Sequence, residues 1–214
     1  MTGKYLTESL KKLVNADPRR RENLLEALEA YGAEYLENKK EHPLDEVVGT
    51  YLLKLDELKA ESSDFYDKNK LKVSCTKGCS HCCKILVNIT EDEGKLIKKY
   101  VEDRGIKPAW GRAFAQLTAE EISDWGKLPH SKRACMFLDS KGTCKIYEVR
   151  PGPCRLMEVV SNPNRCNSIK YPSGRTKNVA SFDAELLYSA IINMSKTDTI
   201  PRIMTRLFKP KGEI

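Results

Sequence analysis

The chain has 214 residues, of which 40% are hydrophobic and 31% are charged, and its formal net charge is +7 at pH 7. A chain of this length can bury a substantial hydrophobic core, so cross-links are not needed merely to make it fold. Eight cysteines in this length are also too few for a small disulfide scaffold, so they need another explanation.

Hydropathy excludes a membrane-embedded protein. The N-terminal sequence lacks the apolar stretch of a signal peptide, and no later stretch approaches the ~18 uninterrupted apolar residues that span a bilayer. We therefore expect a soluble protein of the reducing cytoplasm, with no integral membrane association. The sequence leaves the oligomeric state open.

Two amphipathic helical patterns occupy the first part of the chain. The first has apolar side chains at three- and four-residue spacing: Leu24, Leu28, Tyr31 and Tyr35. The second begins near Pro43 and has this apolar face: Val48, Tyr51, Leu55 and Leu58. We predict a helical N-terminal region over residues 1–70 and a metal-binding domain with C-terminal helices over residues 71–214.

Helix caps predict the next elements. Thr90 and Glu93 have the spacing of a capping box, which predicts a helix through Tyr100 that stops at Gly105. Thr118 and Glu121 repeat this pattern ahead of a shorter helix. Later helices are expected after a cap at Asp183 and after Asp198.

The segment from Cys135 to Cys166 is rich in Gly, Pro, Asn and Ser and has no sustained helical or strand period. A loop of about 32 residues is too long to be structureless in a compact domain unless something holds it, and metal ligation would do so. The predicted fold class is therefore mainly α: a helical N-terminal part and a cysteine-rich, loop-rich body with few or no short strands.

Charge is divided unevenly between these parts. Residues 1–70 hold 12 Lys and Arg against 15 Asp and Glu, whereas residues 71–214 hold 25 against 15, a net charge of +10. A four-thiolate site around Zn(II) or a 2+ iron-sulfur core carries a charge of about −2, so buried thiolates would account for some of the excess. The rest indicates solvated lysines, or a basic face for a protein or nucleic-acid partner.

The cysteines form two groups in the sequence, and all eight are predicted metal ligands. The first group is Cys75-x3-Cys79-x2-Cys82-Cys83, and the second is Cys135-x8-Cys144-x9-Cys154-x11-Cys166. Thiolates three or four positions apart on a turn can converge on one cation. The polar and glycine neighbours of the first group are not those of buried apolar thiols.

Adjacent Cys82 and Cys83 should serve different partners, because successive side chains point in different directions. The alternatives are two metal centres, or one centre and a spare thiol. Zinc sites usually present two tight cysteine pairs, whereas this chain has one tight cluster and widely spaced cysteines beyond it, which favours an iron-sulfur cluster, with zinc as the alternative. His81 is either a further ligand or a hydrogen-bonding neighbour of the ligands.

The segment Arg150-Pro-Gly-Pro-Cys154-Arg155 places two guanidinium groups on a stiff backbone beside a predicted ligand. Such a place suits a carboxylate or a phosphate. We predict Arg150, Arg155 and the nearby Tyr147 as cofactor-binding residues. The sequence names no catalytic residue.

The cysteine spacing and the string Ile146-Tyr147-Glu-x-Arg150-Pro151-x2-Cys154-Arg155 closely resemble the YkgJ-type cysteine-cluster proteins, described as zinc- or iron-chelating domains. The resemblance covers residues 75–166 and implies that these cysteines bind metal. Flagellin lysine methylases carry a similar motif and are associated with an iron-sulfur cluster and S-adenosylmethionine. This chain is much shorter than those methylases and lacks the glycine-rich nucleotide loop of ordinary methyltransferases.

Two functions are therefore expected. The first is an enzyme, such as a methyltransferase, that uses a 4Fe-4S cluster, with S-adenosylmethionine, to modify a protein or nucleic acid. The second is a non-catalytic binding module, stabilised by metal, for nucleic acid or an acidic protein. A third reading, metal storage or delivery, predicts labile metal.

Overall fold

The computed structural model describes residues 6–7, 10–12, 15, 20–119, 122–167 and 176–208. These residues are mainly helical, and their short strands form two small antiparallel sheets. The predicted fold class is confirmed. Among the described helices, none is long and apolar enough to cross a membrane.

The helices and strands are separated by short turns in some places and by long irregular segments in others, including those that carry the cysteines. They are α1 (Arg20–Glu41), α2 (Leu44–Lys68), β1 (Asn88–Thr90), α3 (Glu91–Asp103), α4 (Trp110–Gln116), α5 (Ile122–Lys127), α6 (His130–Arg133), α7 (Gly152–Leu156), β2 (Glu158–Val159), β3 (Asn178–Val179), α8 (Phe182–Asn193), β4 (Thr197–Thr199) and α9 (Ile200–Phe208). Strand β1 pairs with β4, with Ile89 opposite Asp198, and β2 pairs with β3.

The predicted apolar stripes of the N-terminal helices are buried inside the protein. Helix α1 packs mainly on α8, and α2 packs on both α3 and α8. Tyr35 and Leu55 are fully buried in the core that these helices share, together with Leu187 and Tyr188 of α8. The N-terminal helices thus bury their apolar faces against α3 and α8, which both follow the first cysteine group in sequence.

A second core supports the cysteine-rich part. It joins β1, α3 and α9 to Met136, Phe137 and Ile146, and Cys135 and Cys144 pack at its edge. Helix α9 approaches α3 closely at Gly94, where any side chain would overlap Ile203. Ile203 belongs to the core against which Cys135 and Cys144 pack.

A buried carboxylate ties α1 to α3. Asp92 Oδ2 accepts hydrogen bonds from Tyr35 Oη at 3.0 Å, from Lys39 Nζ at 2.6 Å and from Ser195 Oγ at 2.6 Å. Burial alone would raise the pKa of Asp92, but these donors outweigh it and the pKa is lowered.

The first predicted capping box is confirmed. Thr90 Oγ1 accepts from the backbone N–H of Glu93 at 3.1 Å, and Glu93 Oε2 accepts from the N–H of Thr90 at 2.7 Å. Helix α3 ends at Asp103, and Gly105 follows with φ +59°. The second predicted box needs Glu121, which lies outside the described residues.

Two other predictions are corrected. The cap of α8 is Ser181, whose Oγ accepts from the N–H of Ala184 at 3.4 Å, so the predicted cap at Asp183 is wrong by two positions. The segment from Cys135 to Cys166 contains short regular elements, including α7 and β2. Their lengths are too short to produce a period in the sequence.

Candidate metal centre

The first cysteine segment is shaped by tight turns. The backbone N–H of Ser74 donates to the carbonyl of Val159 at 2.8 Å, which ties the start of the segment to β2. Gly78 has φ +97°, a conformation that favours glycine, in the turn that leads into Cys79. Cys82–Lys84 then form one 3₁₀ turn.

The second segment joins the first directly through the backbone. The N–H of Cys135 donates to the carbonyl of Cys83 at 2.7 Å. An antiparallel bridge between Leu138 and Cys144 then folds the chain back, and Gly142 occupies its turn with φ +79°. Backbone hydrogen bonds thus bring Cys83, Cys135 and Cys144 close together.

Helix α7 brings in the next cysteine. The N–H of Cys154 donates to the carbonyl of Pro151 at 2.9 Å, and the N–H of Gly152 donates to the buried Glu93 Oε1 at 2.7 Å. Gly152 lies against the ring of Tyr188, where a side chain would overlap Cδ2 and Cε2. The last cysteine, Cys166, ends a 3₁₀ turn over Pro163–Cys166.

Most of the cysteines surround one cavity of about 80 Å³, named the cysteine cavity here. Those that line it are Cys79, Cys82, Cys83, Cys135, Cys144 and Cys154. Lys77 and Arg150 contribute positive charge to the wall, and Met136 and Ile146 are among its apolar residues. Cys75, Cys166 and His81 are not among its lining residues.

Four cysteines form an inner group: Cys83, Cys135, Cys144 and Cys154. Burial, with the neighbouring Cys144 and Cys82 thiolates, raises the pKa of Cys135 to about 11. Burial raises the pKa of Cys154 well above its ordinary value, and the charges of Cys135, Cys82 and Cys144 add to the effect. These thiols lie close enough to repel one another when they ionise, so a bound cation would relieve that repulsion.

Three cysteines form an outer group: Cys75, Cys79 and Cys166. Burial raises the pKa of Cys166, and the charges of Cys75, Cys79 and Cys82 raise it further. Burial likewise raises the pKa of Cys75, with Cys79 and Cys82 adding to it. The grouping in the structure therefore differs from the grouping in the sequence. Cys166 lies with cysteines of the first sequence group, and Cys83 lies with cysteines of the second.

Cys82 neighbours both groups. The thiol of Cys83 donates to its sulfur, and this hydrogen bond lowers the pKa of Cys82 to about 7 while raising that of Cys83. The positive charge of Arg150 also favours the Cys82 thiolate. The Cys82 thiolate is thus favoured by its surroundings, and Cys82 links the two groups.

All eight cysteines lie in described ranges, are partly buried and form no disulfide. Over the same ranges, no three His, Cys, Asp or Glu side chains are grouped tightly enough to enclose a metal ion. The thiols surround a space and do not converge on one point. Thiolates are the soft ligands typical of zinc and of iron-sulfur clusters, so the donor set fits either.

Arg150 and Tyr147 form one wall of the cysteine cavity, and Lys77 lies beside them. The Arg150 guanidinium lies 4.6 Å from the centroid of the Tyr147 ring, and Lys77 Nζ lies 5.2 Å from it. Arg150 Nε is buried, and among the described residues it has no hydrogen-bond partner. Two cations held over one ring make this wall attractive to negative charge.

Arg155 does not line the cysteine cavity, because its side chain is buried between α7 and α2. Its buried guanidinium donates from Nε to the carbonyl of Arg150 at 2.8 Å and from Nη2 to that of Glu148 at 2.6 Å, and it pairs with Asp56. Its hydrogen bonds hold the segment that carries Arg150 and Cys154. Sequence reasoning found the arginine but missed Asp56, because only long-range contact reveals that partner.

The fold and the cavity define a helical protein with a thiol-lined site that has the donor chemistry of a zinc or iron centre. Residues 74–173 match the CxxCxxCC family model, described as a putative zinc- or iron-chelating domain. This match supports the predicted resemblance to the cysteine-cluster proteins, over somewhat less than half of the chain. No curated protein and no solved structure matches the chain significantly.

Proposed function

We propose that this chain is an iron-sulfur protein, in which cysteines of the inner group hold a 4Fe-4S cluster in the cysteine cavity. The outer group then supplies thiolates for a second centre, with zinc as the alternative metal at either place. The observation that carries the proposal is that all four thiols of the inner group line one cavity of about 80 Å³.

Size favours a cluster over a single ion. One water needs about 10–15 Å³ of such space, so the cysteine cavity has room for several atoms besides the thiols. A zinc ion held by four thiolates at about 2.3 Å leaves no comparable space between them. Charge agrees with this, because Arg150 and Lys77 would stabilise an anionic thiolate cluster.

Anaerobic purification followed by an absorption spectrum and metal analysis tests this proposal. A brown protein with iron and acid-labile sulfide in equal amounts is the expected result. A colourless protein that retains stoichiometric zinc would overturn the iron-sulfur assignment. Loss of all metal during dialysis against a chelator would instead favour storage or delivery.

We further propose that the cluster serves an enzyme that modifies a protein or nucleic acid with S-adenosylmethionine. A cluster binds a cosubstrate directly only through an iron that no cysteine occupies, so in this use three of the four inner cysteines would ligate the cluster and the fourth would not. Arg150 and Tyr147 would hold the anionic carboxylate of the cosubstrate, while Arg155 positions Arg150 through its backbone. Support comes from Arg150 on the cavity wall, whose Nε has no hydrogen-bond partner in the part of the chain that the structure describes.

Equilibrium dialysis of S-adenosylmethionine against the anaerobic protein tests the cosubstrate. We expect binding that Arg150→Gln weakens at least tenfold, whereas Arg104→Gln, on an exposed arginine that stacks on Tyr100, leaves it unchanged. Equal binding by both variants would remove Arg150 from the site. No binding at all would remove S-adenosylmethionine from the proposal.

The net charge of +10 over residues 71–214 supports a second candidate, a metal-stabilised binding module for nucleic acid or an acidic protein. Mobility shift with a single-stranded and a duplex oligonucleotide at low salt distinguishes this function. Affinity that falls steeply with salt would support it, because counterion release dominates such binding. No shift at low salt would remove the nucleic-acid version.

A further inference from the structure

A second cavity of about 490 Å³ lies directly behind the cysteines. It is bounded by the segment Ile85–Asn88, α7, the β2–β3 sheet and α8. Four residues line both this second cavity and the cysteine cavity: Cys82, Ile85, Val87 and Cys154. The two spaces are therefore separated by a single layer of side chains that includes two of the thiols.

Its volume is that of a small-molecule site. Pockets for small ligands usually measure about 300–1,000 Å³, and the second cavity lies within this range. A side chain or a metal ion alone would leave most of it unfilled.

The wall of the second cavity is mainly apolar. Leu86, Leu156 and Ile192 line it. Two further lining residues, Ile85 and Met157, are large apolar side chains that remain 44% and 38% exposed. Exposed apolar surface concentrated at a cavity indicates a ligand with an apolar body.

Charge distinguishes the second cavity from the cysteine cavity. Within the described residues no lysine or arginine lines it, although residues 71–214 carry a net charge of +10. Its charged lining residues are Glu158, which pairs with Lys59 at 2.8 Å, and Glu185, which accepts from Thr7 Oγ1 at 2.6 Å. Among the described residues that line the cavity, an anion would meet two carboxylates, one of them paired with Lys59 behind the wall, and no lysine or arginine, so anionic ligands are disfavoured.

Uncharged polar groups are placed at the solvent side. Asn88, Asn178 and Thr197 line the second cavity and are exposed, whereas Tyr188 at its inner wall is buried. Amide and hydroxyl groups can hydrogen-bond an uncharged polar end of a ligand without a charge on either partner. The cavity is thus apolar inside and polar at its mouth.

We infer that the second cavity binds an uncharged organic molecule, with its apolar body against Cys82 and Cys154 and its polar end at Asn88, Asn178 and Thr197. The inference rests on the proposed function in one respect only, namely that the ligand then lies beside the metal centre. Binding itself requires only the cavity.

A matched pair of fluorescent probes tests the charge selection on the full chain in its metal-loaded form. N-phenyl-1-naphthylamine is uncharged, and anilinonaphthalene sulfonate has the same aromatic body with one negative charge. We expect saturable one-to-one binding of the uncharged probe and at least tenfold weaker binding of the sulfonate. Equal affinities, or the absence of saturable binding, would overturn the inference.

Two variants locate the probe. Ala180→Trp fills the second cavity and should weaken binding of the uncharged probe at least tenfold, whereas Ala60→Trp, on the exposed face of α2, should not. Asn178→Arg adds a cation at the mouth on an exposed residue, so it should strengthen sulfonate binding at least threefold even if Ala180→Trp does not fold. Unchanged sulfonate affinity in Asn178→Arg contradicts the assignment.

Metal analysis on the same samples separates the two proposals. A protein that binds the uncharged probe but contains zinc retains the second cavity and loses the iron-sulfur assignment. A brown protein that binds no probe retains the cluster and loses the second cavity as a ligand site. In the brown protein, emission of the bound probe should also be quenched, because the coloured centre lies one side chain away.

Discussion

The carboxylate of Glu93 accepts a hydrogen bond of 2.7 Å from the backbone N–H of Gly152, a residue 59 positions away in the chain. Its other oxygen accepts from the N–H of Thr90 at 2.7 Å and from Tyr188 Oη at 3.4 Å. One buried side chain therefore caps α3 and holds the start of α7, the helix that carries Cys154.

Glu93→Gln should lower the free energy of unfolding by about 2 kcal/mol, because an amide nitrogen would face a backbone N–H that needs an acceptor. Urea unfolding measures the loss. Glu91→Gln, on the first residue of α3 with a partly exposed ion pair to Lys95, is the control and should cost much less. Equal costs for the two variants would show that the link to Gly152 carries no stability.

Gly152→Ala should destabilise the protein by about 1–3 kcal/mol, since a methyl group would overlap the buried ring of Tyr188. The double variant Gly152→Ala with Tyr188→Leu should cost less than the two single changes added together. Gly111→Ala is the control, because nothing lies within 4 Å of the added methyl group and alanine favours a helix. Thermal unfolding of these variants tests the overlap, and a neutral Gly152→Ala would contradict it.

Arg155→Lys should destabilise the protein by about 2 kcal/mol, because an ammonium group cannot serve Arg150, Glu148 and Asp56 in the directions of the guanidinium. Arg104→Lys changes an exposed arginine and should have little effect. Urea unfolding compares the variants. If Arg155→Lys were as stable as the native chain, the buried hydrogen bonds could not be holding α7.

The inner and outer groups predict different losses of metal. Cys154→Ser should remove most of the iron and the acid-labile sulfide, whereas Cys166→Ser should retain at least half of each. Iron and sulfide analysis after anaerobic purification makes the comparison. A Cys166→Ser protein that is as depleted as Cys154→Ser would mean that all the cysteines serve one centre.

Asp92 predicts how stability depends on pH. Because the pKa of Asp92 is lowered in the folded protein, its contribution is fully present above the unfolded value of about 3.9 and is lost as pH falls through the folded value. Asp92→Asn should therefore cost about 2 kcal/mol at pH 7, and the difference from the native chain should shrink below about pH 4. Urea unfolding from pH 7 to pH 3 tests this, with the exposed Asp103→Asn as control. A difference that stays constant with pH would contradict the assignment.

Local patterns could be predicted from the sequence, and long-range contacts could not. The capping box of Thr90 and Glu93 was predictable because both residues lie in one helical turn. The hydrogen bond from Gly152 to Glu93 was not predictable, because it depends on how α3 and α7 pack and has no local sequence pattern. The cap at Ser181 was missed because Asp183 is an equally good capping residue by type.

The same distinction explains the cysteines. Their number and spacing indicated metal chemistry, but the sequence order placed Cys166 with Cys135, Cys144 and Cys154. Its neighbours in the fold are Cys75, Cys79 and Cys82, because β2 returns the chain to the first segment through the hydrogen bond between Val159 and Ser74. The division of the thiols is therefore a property of chain topology.

The peptide hydrogen bond between Cys135 and Cys83 has a consequence for how the site is loaded. Because amide groups already close the long loop between these residues, the conformational entropy of that closure is lost during folding and not during metal capture. Metal ligation is then not the only interaction that orders this site, and part of the metal's binding energy goes into replacing protons on sulfur.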